Sequence, residues 1–514
     1  IRGLVNPWGH QIDTWGQSFA TDGAGGEGIN YCLPGAYYVT SPDAVRILQG
    51  LNPGSPKHCG LDVASGRHLP DDWQGLLLTN DFRGNRVCRF KISDDGAGYA
   101  SRELSELIKT SHMAFRPIDV KVGPDGAIYI ADWYNPIIQH GEVDFRDDRR
   151  DHTRGRIWRV TAKNRPLVER PKLVDASVES LLDSLKAPED WTRHHAKRVL
   201  KERGAVAVLP ALTDWVKRLP ADDPSSEHHR LEALWMYQAL DTPEPELLNA
   251  LLNSKDARVR AAAVRVVQFW QDRLSDPLAL LAPRVEDEHP RVRLEAVRVL
   301  ASIPGTPSAE IAMRALDRPV DRFLDYALWL TARQLQADWL PEVQAGRFDF
   351  QGNPKRLVFA LQSVGSPDVL QPLIEMFRGG RVPAEHEANV QSLIASLGGP
   401  AELALVLDLA QSDASLSPSR KLGLLRSLLR ATRERKVVPS GDLNKLSVLL
   451  EQGDPELRAE AAKAVGLWKA EALRPRLVEL ARSNETPLTV RSAAIEGLLS
   501  LGDAESRELV NAMA

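Results

Sequence analysis

The stretch DARVRAAAVRVV at Asp256–Val267 returns 33 residues later as HPRVRLEAVRVL at His289–Leu300. Asp256 opens the first copy and Pro290 is the second residue of the other. Arg260 or Arg293 follows within the first turns, and apolar residues recur at three- and four-residue spacing. That spacing is typical of an α-helix with one buried face. Pro and Asp suit a helix N-terminus, because proline lacks the unneeded amide donor and the carboxylate complements the helix dipole. The repeat therefore predicts stacked helices.

The same pattern recurs elsewhere in the chain. Further copies are DPELRAEAAKAV from Asp454, TPLTVRSAAIEGL from Thr486 and a degenerate PEDWTRHHAKRVL from Pro188. The pattern resembles HEAT repeats, in which helix pairs stack on their neighbours into a quasi-one-dimensional solenoid. About nine such pairs fit between Pro171 and Ala514.

The N-terminal part of the chain follows a different pattern. Short alternating apolar runs lie between turn residues, which predicts strands. Three segments share a glycine, an apolar run and a final aspartate: GQSFATD ending at Asp22, GLLLTND ending at Asp81 and GAIYIAD ending at Asp132. Their spacings of 59 and 51 residues predict about three blades of a β-propeller. Since three blades would leave sheet edges open, we expect further blades upstream of Ile1.

The predicted fold is thus multidomain β + α: a partial β-propeller of about three blades, followed by an α-solenoid of HEAT-like repeats. We place the C-terminal part of the propeller at residues 1–165, a linker at 166–172 and the solenoid at 173–514. The linker contains Pro166 and Pro171, which interrupt both strands and helices.

Composition excludes several classes of protein. The net charge of −4 gives no reason to expect a nucleic acid or an anionic membrane as partner. No apolar run approaches the roughly 18 residues of a membrane span. The three cysteines, Cys32, Cys59 and Cys88, form no CxxC pair, so the chain encodes neither a zinc ribbon nor a c-type haem attachment.

Four segments of the β-rich part resemble the C-terminal half of the propeller of glucose/sorbosone-type sugar dehydrogenases. They are NPWGHQIDTWGQSFATDGAGGEGINYCLPGAYY (Asn6–Tyr38), HCGLDVASGRHLPDDWQG (His58–Gly75), FRPIDVKVGPDGAIYIADW (Phe115–Trp133) and GRIWRV (Gly155–Val160). With the HEAT repeats, the whole chain is similar to the membrane-bound dehydrogenase family, which joins such a propeller to HEAT repeats. A C-terminal c-type cytochrome usually follows in that family and is absent here.

The resemblance implies a quinoprotein sugar or aldose dehydrogenase that uses pyrroloquinoline quinone (PQQ) and calcium. It also implies a sugar or polysaccharide substrate, an electron-accepting cytochrome docked on the solenoid, and a periplasmic or cell-envelope location. The family's catalytic histidine belongs to earlier blades, so we expect this chain alone to be inactive.

Single positions support the resemblance in part. Asn6 matches the asparagine of the family's arginine–asparagine pair, whereas Val5 stands at the arginine. Arg116 matches the first of two arginines that bind the quinone carboxylates, and Ile118 replaces the second. The family's calcium-binding loop, which supplies backbone carbonyls, corresponds to Asp22, Gly23 and Ala24.

The residues themselves suggest further site candidates. Asp22, Asp81 and Asp132 hold equivalent positions, where carboxylates could hold calcium or simply cap their turns through backbone hydrogen bonds. We also assign Asp81, Arg83 and Asp132 to the cofactor site.

Two aromatic residues and two histidines complete the candidates. Trp133 and Tyr134 would form an aromatic floor for a sugar or, equally, pack between blades. His58 and His140 are the candidate general bases, since histidine titrates near neutral pH. The predicted function is a subunit or fragment of a quinoprotein sugar dehydrogenase; the alternative is a non-catalytic carbohydrate- or protein-binding scaffold.

Overall fold

The computed structural model describes residues 1–24, 28–52, 57–138, 143–412 and 416–512. The chain forms two compact units, which we call the first unit (Ile1–Thr331) and the second unit (Ala332–Ala514). The first unit begins with a β-rich region, whose strands are β1 Pro7–Ile12, β2 Ser18–Asp22, β3 Ile29–Tyr31, β4 His58–Val63, β5 Leu77–Asp81, β6 Arg86–Asp95, β7 Gly98–Glu103, β8 Ile108–Lys109, β9 Pro117–Val122, β10 Ile128–Asp132 and β11 Arg156–Val160.

These strands form three antiparallel sheets, with the orders β1-β2-β3, β4-β5-β6-β7 and β9-β10-β11, and β8 pairs with β6. The sheets pack side by side, since β1 contacts β4 and β4 contacts β9. Gly9 and Gly60 allow this approach, because a Cβ on Gly9 would lie 2.5 Å from the Gly60 backbone. Asp125 and Gly126 form the turn that joins β9 to β10, and Gly126 has a φ of +80°. A β-rich region of repeated sheets is confirmed, whereas a propeller stays a prediction.

Helices follow the β-rich region. Those that begin in the first unit are α1 Val178–Asp183, α2 Asp190–Arg203, α3 Ala205–Lys217, α4 Ser226–Ala239, α5 Pro245–Leu252, α6 Ala257–Trp270, α7 Pro277–Leu281, α8 Pro290–Leu300, α9 Thr306–Met313 and α10 Arg322–Gln334. Those of the second unit are α11 Gln336–Gln344, α12 Pro354–Val364, α13 Leu370–Arg378, α14 Ala384–Leu397, α15 Pro400–Ser412, α16 Pro418–Arg435, α17 Ser447–Leu450, α18 Pro455–Leu467, α19 Arg474–Arg482, α20 Leu488–Leu501 and α21 Ala504–Asn511. No helix among the described residues is long and apolar enough to cross a membrane.

The predicted helix starts are confirmed at atomic level. The Asp256 carboxylate accepts a hydrogen bond from the Arg258 amide, and Asp454 accepts one from Leu457. Pro290 and Pro455 occupy the first positions of α8 and α18, where the missing amide donor costs nothing. Within each unit, even-numbered helices contact their neighbours, as α6 contacts α8 in the first unit and α18 contacts α20 in the second, so the predicted helical solenoid is confirmed.

Small residues let these helices approach closely. A Cβ on Gly466 of α18 would come within 2.3 Å of the Gly497 carbonyl oxygen of α20. In the first unit α2 contacts α4, α4 contacts α6 and α6 contacts α8. The Thr331 hydroxyl of α10 donates to the Val297 carbonyl of α8 at 3.2 Å, which continues the row. We call α2, α4, α6, α8 and α10 the even helices of the first unit.

The β-rich region packs on these even helices, which is why the first unit extends to Thr331. The Arg291 guanidinium of α8 donates to the carbonyls of Ala97 (3.2 Å) and Gly98 (2.5 Å) and to the Tyr99 hydroxyl (2.6 Å). Arg298 of α8 donates to the Pro34 carbonyl at 3.0 Å. The region's last strand ends at Val160 and α1 begins at Val178; the finer division into 1–165, 166–172 and 173–514 stays a prediction.

Candidate functional site

The three repeated aspartates cap their own turns. Asp22 is fully buried, and its carboxylate accepts hydrogen bonds from the amides of Val5 (2.9 Å), Asn6 (3.0 Å) and Ala24 (3.0 Å). The Asn6 carbonyl accepts from the Gly23 amide at 2.9 Å, which closes the turn. This arrangement rigidifies the entry to β1 and the exit of β2.

Asp132 repeats this arrangement in the third sheet. Its carboxylate accepts from the amides of Arg116 (2.8 Å) and Tyr134 (2.9 Å) and from the Trp158 indole nitrogen (3.0 Å). Asp81 accepts from the Gly84 amide at 3.0 Å and the Arg86 Nε at 3.1 Å. Among the described residues no group of three or more His, Cys, Asp and Glu side chains could hold a metal ion. Calcium binding by the backbone of Asp22-Gly23-Ala24 stays a prediction.

Arg116 links two loops of the β-rich region. Its buried guanidinium donates to the carbonyls of Phe82 (2.9 Å), Asn135 (3.2 Å), Arg83 (3.3 Å) and Pro136 (3.4 Å). Burial lowers the pKa of Arg116. The side chain expected to bind a quinone carboxylate is thus engaged with backbone oxygens, while the Arg83 side chain is exposed.

His58 is completely buried in β4, so solvent does not reach it. Its ring lies edge-on to Phe90, with 5.3 Å between centroids, and its Nε2 is 3.3 Å from the Asn52 amide nitrogen. Burial lowers the pKa of His58 to about 4. The other candidate base, His140, lies outside the described residues.

The two candidate sugar-binding aromatics face different surroundings. Trp133 is 40% exposed. Tyr134 stacks on His112 at 5.9 Å between centroids and lies under the Arg156 guanidinium at 3.5 Å. Among the described residues, the structure brings Asp22 together with Asn6 and Ala24, and Asp132 together with Arg116 and Tyr134. It also places the Arg116 guanidinium against the Arg83 carbonyl and His58 opposite Asp81 in the β4–β5 pair.

A concave surface lies where β1 meets the solenoid. Residues 10–16 belong to the hairpin formed by β1 and β2, so we call this surface the hairpin groove. It has a volume of about 950 Å³ and runs between these residues and the helices α2, α4 and α6. One wall is apolar, formed by Ile12, Trp235, Val266 and Phe269. Ile12 is 43% and Phe269 59% exposed, which is unusual for large apolar side chains. The basic residues along the groove are Arg193, Lys197, Arg198, Lys201 and Arg265.

A buried charge network forms the floor of the hairpin groove. Glu232 is 2% exposed and receives Arg193 Nε at 3.1 Å and Lys197 Nζ at 2.6 Å. Burial acts to raise the pKa of Glu232, but Lys197 and Arg193 outweigh it and hold that pKa below its usual value. Burial, followed by the nearby Lys197, lowers the pKa of His194 to about 4. The floor is therefore a fixed set of compensated charges rather than a reactive centre.

A second network fixes the hairpin that contributes Ile12 to the apolar wall. Arg265 of α6 donates to the Gly16 carbonyl and, at 2.9 Å, to the Gln17 amide oxygen. It also pairs with the buried Glu295 of α8 through Nε–Oε2 at 3.0 Å and Nη2–Oε1 at 2.5 Å. Burial works against the charged guanidinium, yet Glu295 raises the pKa of Arg265. The groove is thus held open by a rigid frame.

Sequence reasoning missed this surface. The one available signal was that Arg265 and Arg298 are 33 residues apart, the same spacing as Arg260 and Arg293. Arg260 does connect repeats, since it donates to the Asp287 carboxylate at 2.7 Å. Arg265 and Arg298 instead reach out of the solenoid to the β-rich region.

Two family models match parts of the chain. Residues 54–164 match a domain of unknown function, DUF7133, and residues 244–329 and 443–514 match HEAT repeats. No curated protein matches the sequence.

Several solved structures show distant similarity. An engineered protein is 18% identical over 65% of this chain and 92% of its own, with a TM-score of 0.25. Kap121p bound to Nup53p is 14% identical over 65% of this chain and 42% of its own, with a TM-score of 0.35. The complex of CpcE and CpcF of phycocyanin lyase from Nostoc sp. PCC7120 is 17% identical over 52% of this chain and 80% of its own, with a TM-score of 0.17. The chain thus spans less than half the length of Kap121p.

The family findings correct the resemblance to membrane-bound dehydrogenases. Residues 54–164 of the β-rich region match a domain without an assigned function, and the helices match HEAT repeats, so the assignment to an oxidoreductase of the PQQ dehydrogenase family is wrong. Binding of PQQ itself stays a prediction. The repeated Gly–strand–Asp pattern reflects how the sheets are capped by Asp22, Asp81 and Asp132. Such a pattern identifies a type of fold and not a chemical activity, which is why it does not identify a dehydrogenase.

Proposed function

We propose that this chain is a non-catalytic protein-binding scaffold, and that its hairpin groove receives a segment of a partner protein. The observation that carries the proposal is the exposed apolar wall of Ile12 and Phe269 inside a groove of about 950 Å³. Exposed apolar surface rimmed by polar residues is typical of interaction sites. A HEAT solenoid supplies the extended surface that such scaffolds use.

The groove fits one kind of segment best. A large apolar side chain would lie between Phe269 and Ile12, and burying it would contribute about 25 cal/mol per Å² of apolar area. Lys201 and Arg198 border this wall, and both are exposed. An acidic residue next to the apolar anchor would therefore add a charge-assisted hydrogen bond.

The rigidity of the groove supports this use. Arg265, Gln17 and Glu295 fix the hairpin on one side, and Glu232 with Arg193 fixes the floor. A preformed groove needs little ordering when it binds, so more of the contact energy appears as affinity. In this proposal the three sheets are blades of a propeller that serves as a fixed wall and not as a catalytic site.

Selection of random displayed peptides on the full chain tests the proposal. We expect the selected peptides to share an aromatic or aliphatic anchor, and Phe269→Asp to weaken their binding by about tenfold or more. The matched control is Val206→Asp, because Val206 is an apolar residue of α3 that is 95% exposed and lies outside the groove. Peptides that bind both variants with equal affinity would contradict the proposal.

A further inference from the structure

Basic residues occupy the same position, counted from the helix N-cap, in both units. In the first unit, Arg265 lies nine residues after the N-cap Asp256, and Arg298 lies nine residues after the N-cap His289. At this register each arginine points away from the solenoid core and donates to a carbonyl of the β-rich region, Gly16 or Pro34. The position is therefore one from which a helix binds another part of the protein.

The second unit carries basic residues at the same register. Arg426 lies nine residues after the N-cap Ser417 of α16, and Lys463 lies nine residues after the N-cap Asp454 of α18. The neighbouring glutamate repeats as well. Glu460 stands six residues after its N-cap and lies 3.8 Å from Arg426, as Glu295 stands six residues after its N-cap and pairs with Arg265.

The difference is that Arg426 of the second unit is exposed. The Arg426 side chain is 53% exposed, whereas that of Arg265 is 20% exposed. Arg426 is followed by Arg430 and Arg433, at spacings of four and seven residues, and both are exposed. Residues so spaced lie on one face of a helix. We call Arg426, Arg430 and Arg433 the arginine stripe.

The stripe is the accessible part of a local concentration of positive charge. Residues 418–436 contain seven Lys or Arg and one Glu, in a chain whose net charge is −4. Two of these cations are engaged elsewhere: Arg420 pairs with Glu387, and Arg435 donates to the carbonyls of Ala395 and Gly398. Within the described parts of the chain, the Arg430 and Arg433 guanidiniums make no recorded hydrogen bond or ion pair.

We propose that the arginine stripe of α16 binds an acidic segment of a partner protein. Guanidinium groups bind carboxylates through paired, charge-assisted hydrogen bonds, which a lysine does not reproduce. Arg426 already donates one hydrogen bond to the Glu456 carboxylate at 3.0 Å, and an incoming carboxylate would replace Glu456 there.

A nucleic acid is the less suitable occupant. Glu456 and Glu460 border the stripe on α18, and they would repel a continuous row of phosphates. An acidic peptide can avoid them, because its charges are separate and its backbone is neutral.

The proposal rests on the proposed scaffold function only in that the ligand is a protein, and it concerns a different surface from the hairpin groove. The probe is a fluorescent peptide made only of Glu, Ser and Gly, so that it carries no apolar anchor. Binding to the full chain is measured by fluorescence anisotropy at low salt. We expect the double variant R430E/R433E to weaken binding by about tenfold or more, and added salt to weaken binding to the unchanged chain.

The matched control is R482E/R507E, which reverses two exposed arginines on α19 and α21. It should leave the affinity within about twofold, and circular dichroism should show both double variants folded, since exposed substitutions change stability by only about 0.5 kcal/mol. Equal losses in the two double variants would overturn the proposal, because binding would then follow net charge alone. So would tighter binding of a DNA duplex than of the peptide, or no binding of the peptide at all.

Binding of the acidic probe to the arginine stripe should not depend on the hairpin groove. Phe269→Asp should leave binding of the acidic probe unchanged, and R430E/R433E should leave binding of the anchor-bearing peptides unchanged. Failure of one surface is thereby distinguished from failure of the other.

Discussion

The even helices present the same register of basic residues in both units, but the surroundings differ. In the first unit Arg265 and Arg298 are covered by the β-rich region and donate to its carbonyls. In the second unit Arg426 and Lys463 hold the register of Arg265 and are partly exposed beside carboxylates. The same position in the repeat therefore serves as an internal interface in one unit and as an open surface in the other.

This difference shows how a repeat sequence acquires a function. The register fixes where a basic side chain points, since helix geometry places the ninth residue after the N-cap on a given face. The group that faces this side chain decides how much the side chain contributes to the free energy of unfolding. Removing a desolvated guanidinium lowers that free energy strongly, whereas removing an exposed one changes it little.

The largest expected effect comes from comparing Arg265→Ala with Arg426→Ala. We expect Arg265→Ala to lower the free energy of unfolding of the first unit by about 3–5 kcal/mol, because Glu295, 1% exposed, would be left as an unpaired buried charge. Arg426→Ala should cost less than about 1 kcal/mol, since its ion pairs are at the surface. Urea unfolding of both variants measures this, and equal losses would remove the distinction between the two units.

Acid should affect the first unit before the second. Burial lowers the pKa of His58 and His228 to about 4, so these side chains are neutral in the folded state. The unfolded chain binds protons at an ordinary histidine pKa of about 6.5, so stability is lost as the pH falls from about 6.5 towards 4. The second unit contains a single histidine, His386.

For His58 alone this loss is about 2 kcal/mol between pH 7 and pH 5. Urea unfolding of the first unit at the two pH values measures it. His58→Gln should reduce the pH dependence by that amount, whereas His386→Gln should leave it unchanged. A first unit whose stability does not change between these pH values would show that His58 is not held neutral by burial.

Much of the fold follows from local sequence. Helix starts at Asp256, Pro290 and Asp454 are predictable because capping depends on residues within one turn. The Asp125-Gly126 turn is predictable for the same reason. The repeated aspartates could be located from their spacing, although the choice between metal ligand and turn cap needed the backbone geometry of Asp22 and Asp132.

The candidate site could not be predicted in this way. Arg265 meets Gly16 across 249 residues of sequence, and no local pattern specifies such a partner. The fold resemblance led instead to Arg116 and His58, which the structure places among backbone carbonyls and in a closed apolar environment. The resemblance to a known fold identified which positions to consider, but it did not establish what those residues do.

The difference between the two units depends on the docking of the β-rich region on the even helices of the first unit. This docking can be measured as a coupling energy between two side chains that meet across it. A double-mutant cycle combines Arg291→Ala with Tyr99→Phe, which removes the hydroxyl that receives Arg291 Nη1 at 2.6 Å. We expect a coupling energy of about 1–2 kcal/mol in urea unfolding, because the two side chains interact across a buried interface. Tyr99→Phe combined with Arg426→Ala should be additive. Additivity within about 0.5 kcal/mol for the Arg291–Tyr99 pair would show that the β-rich region does not dock on α8 through these side chains.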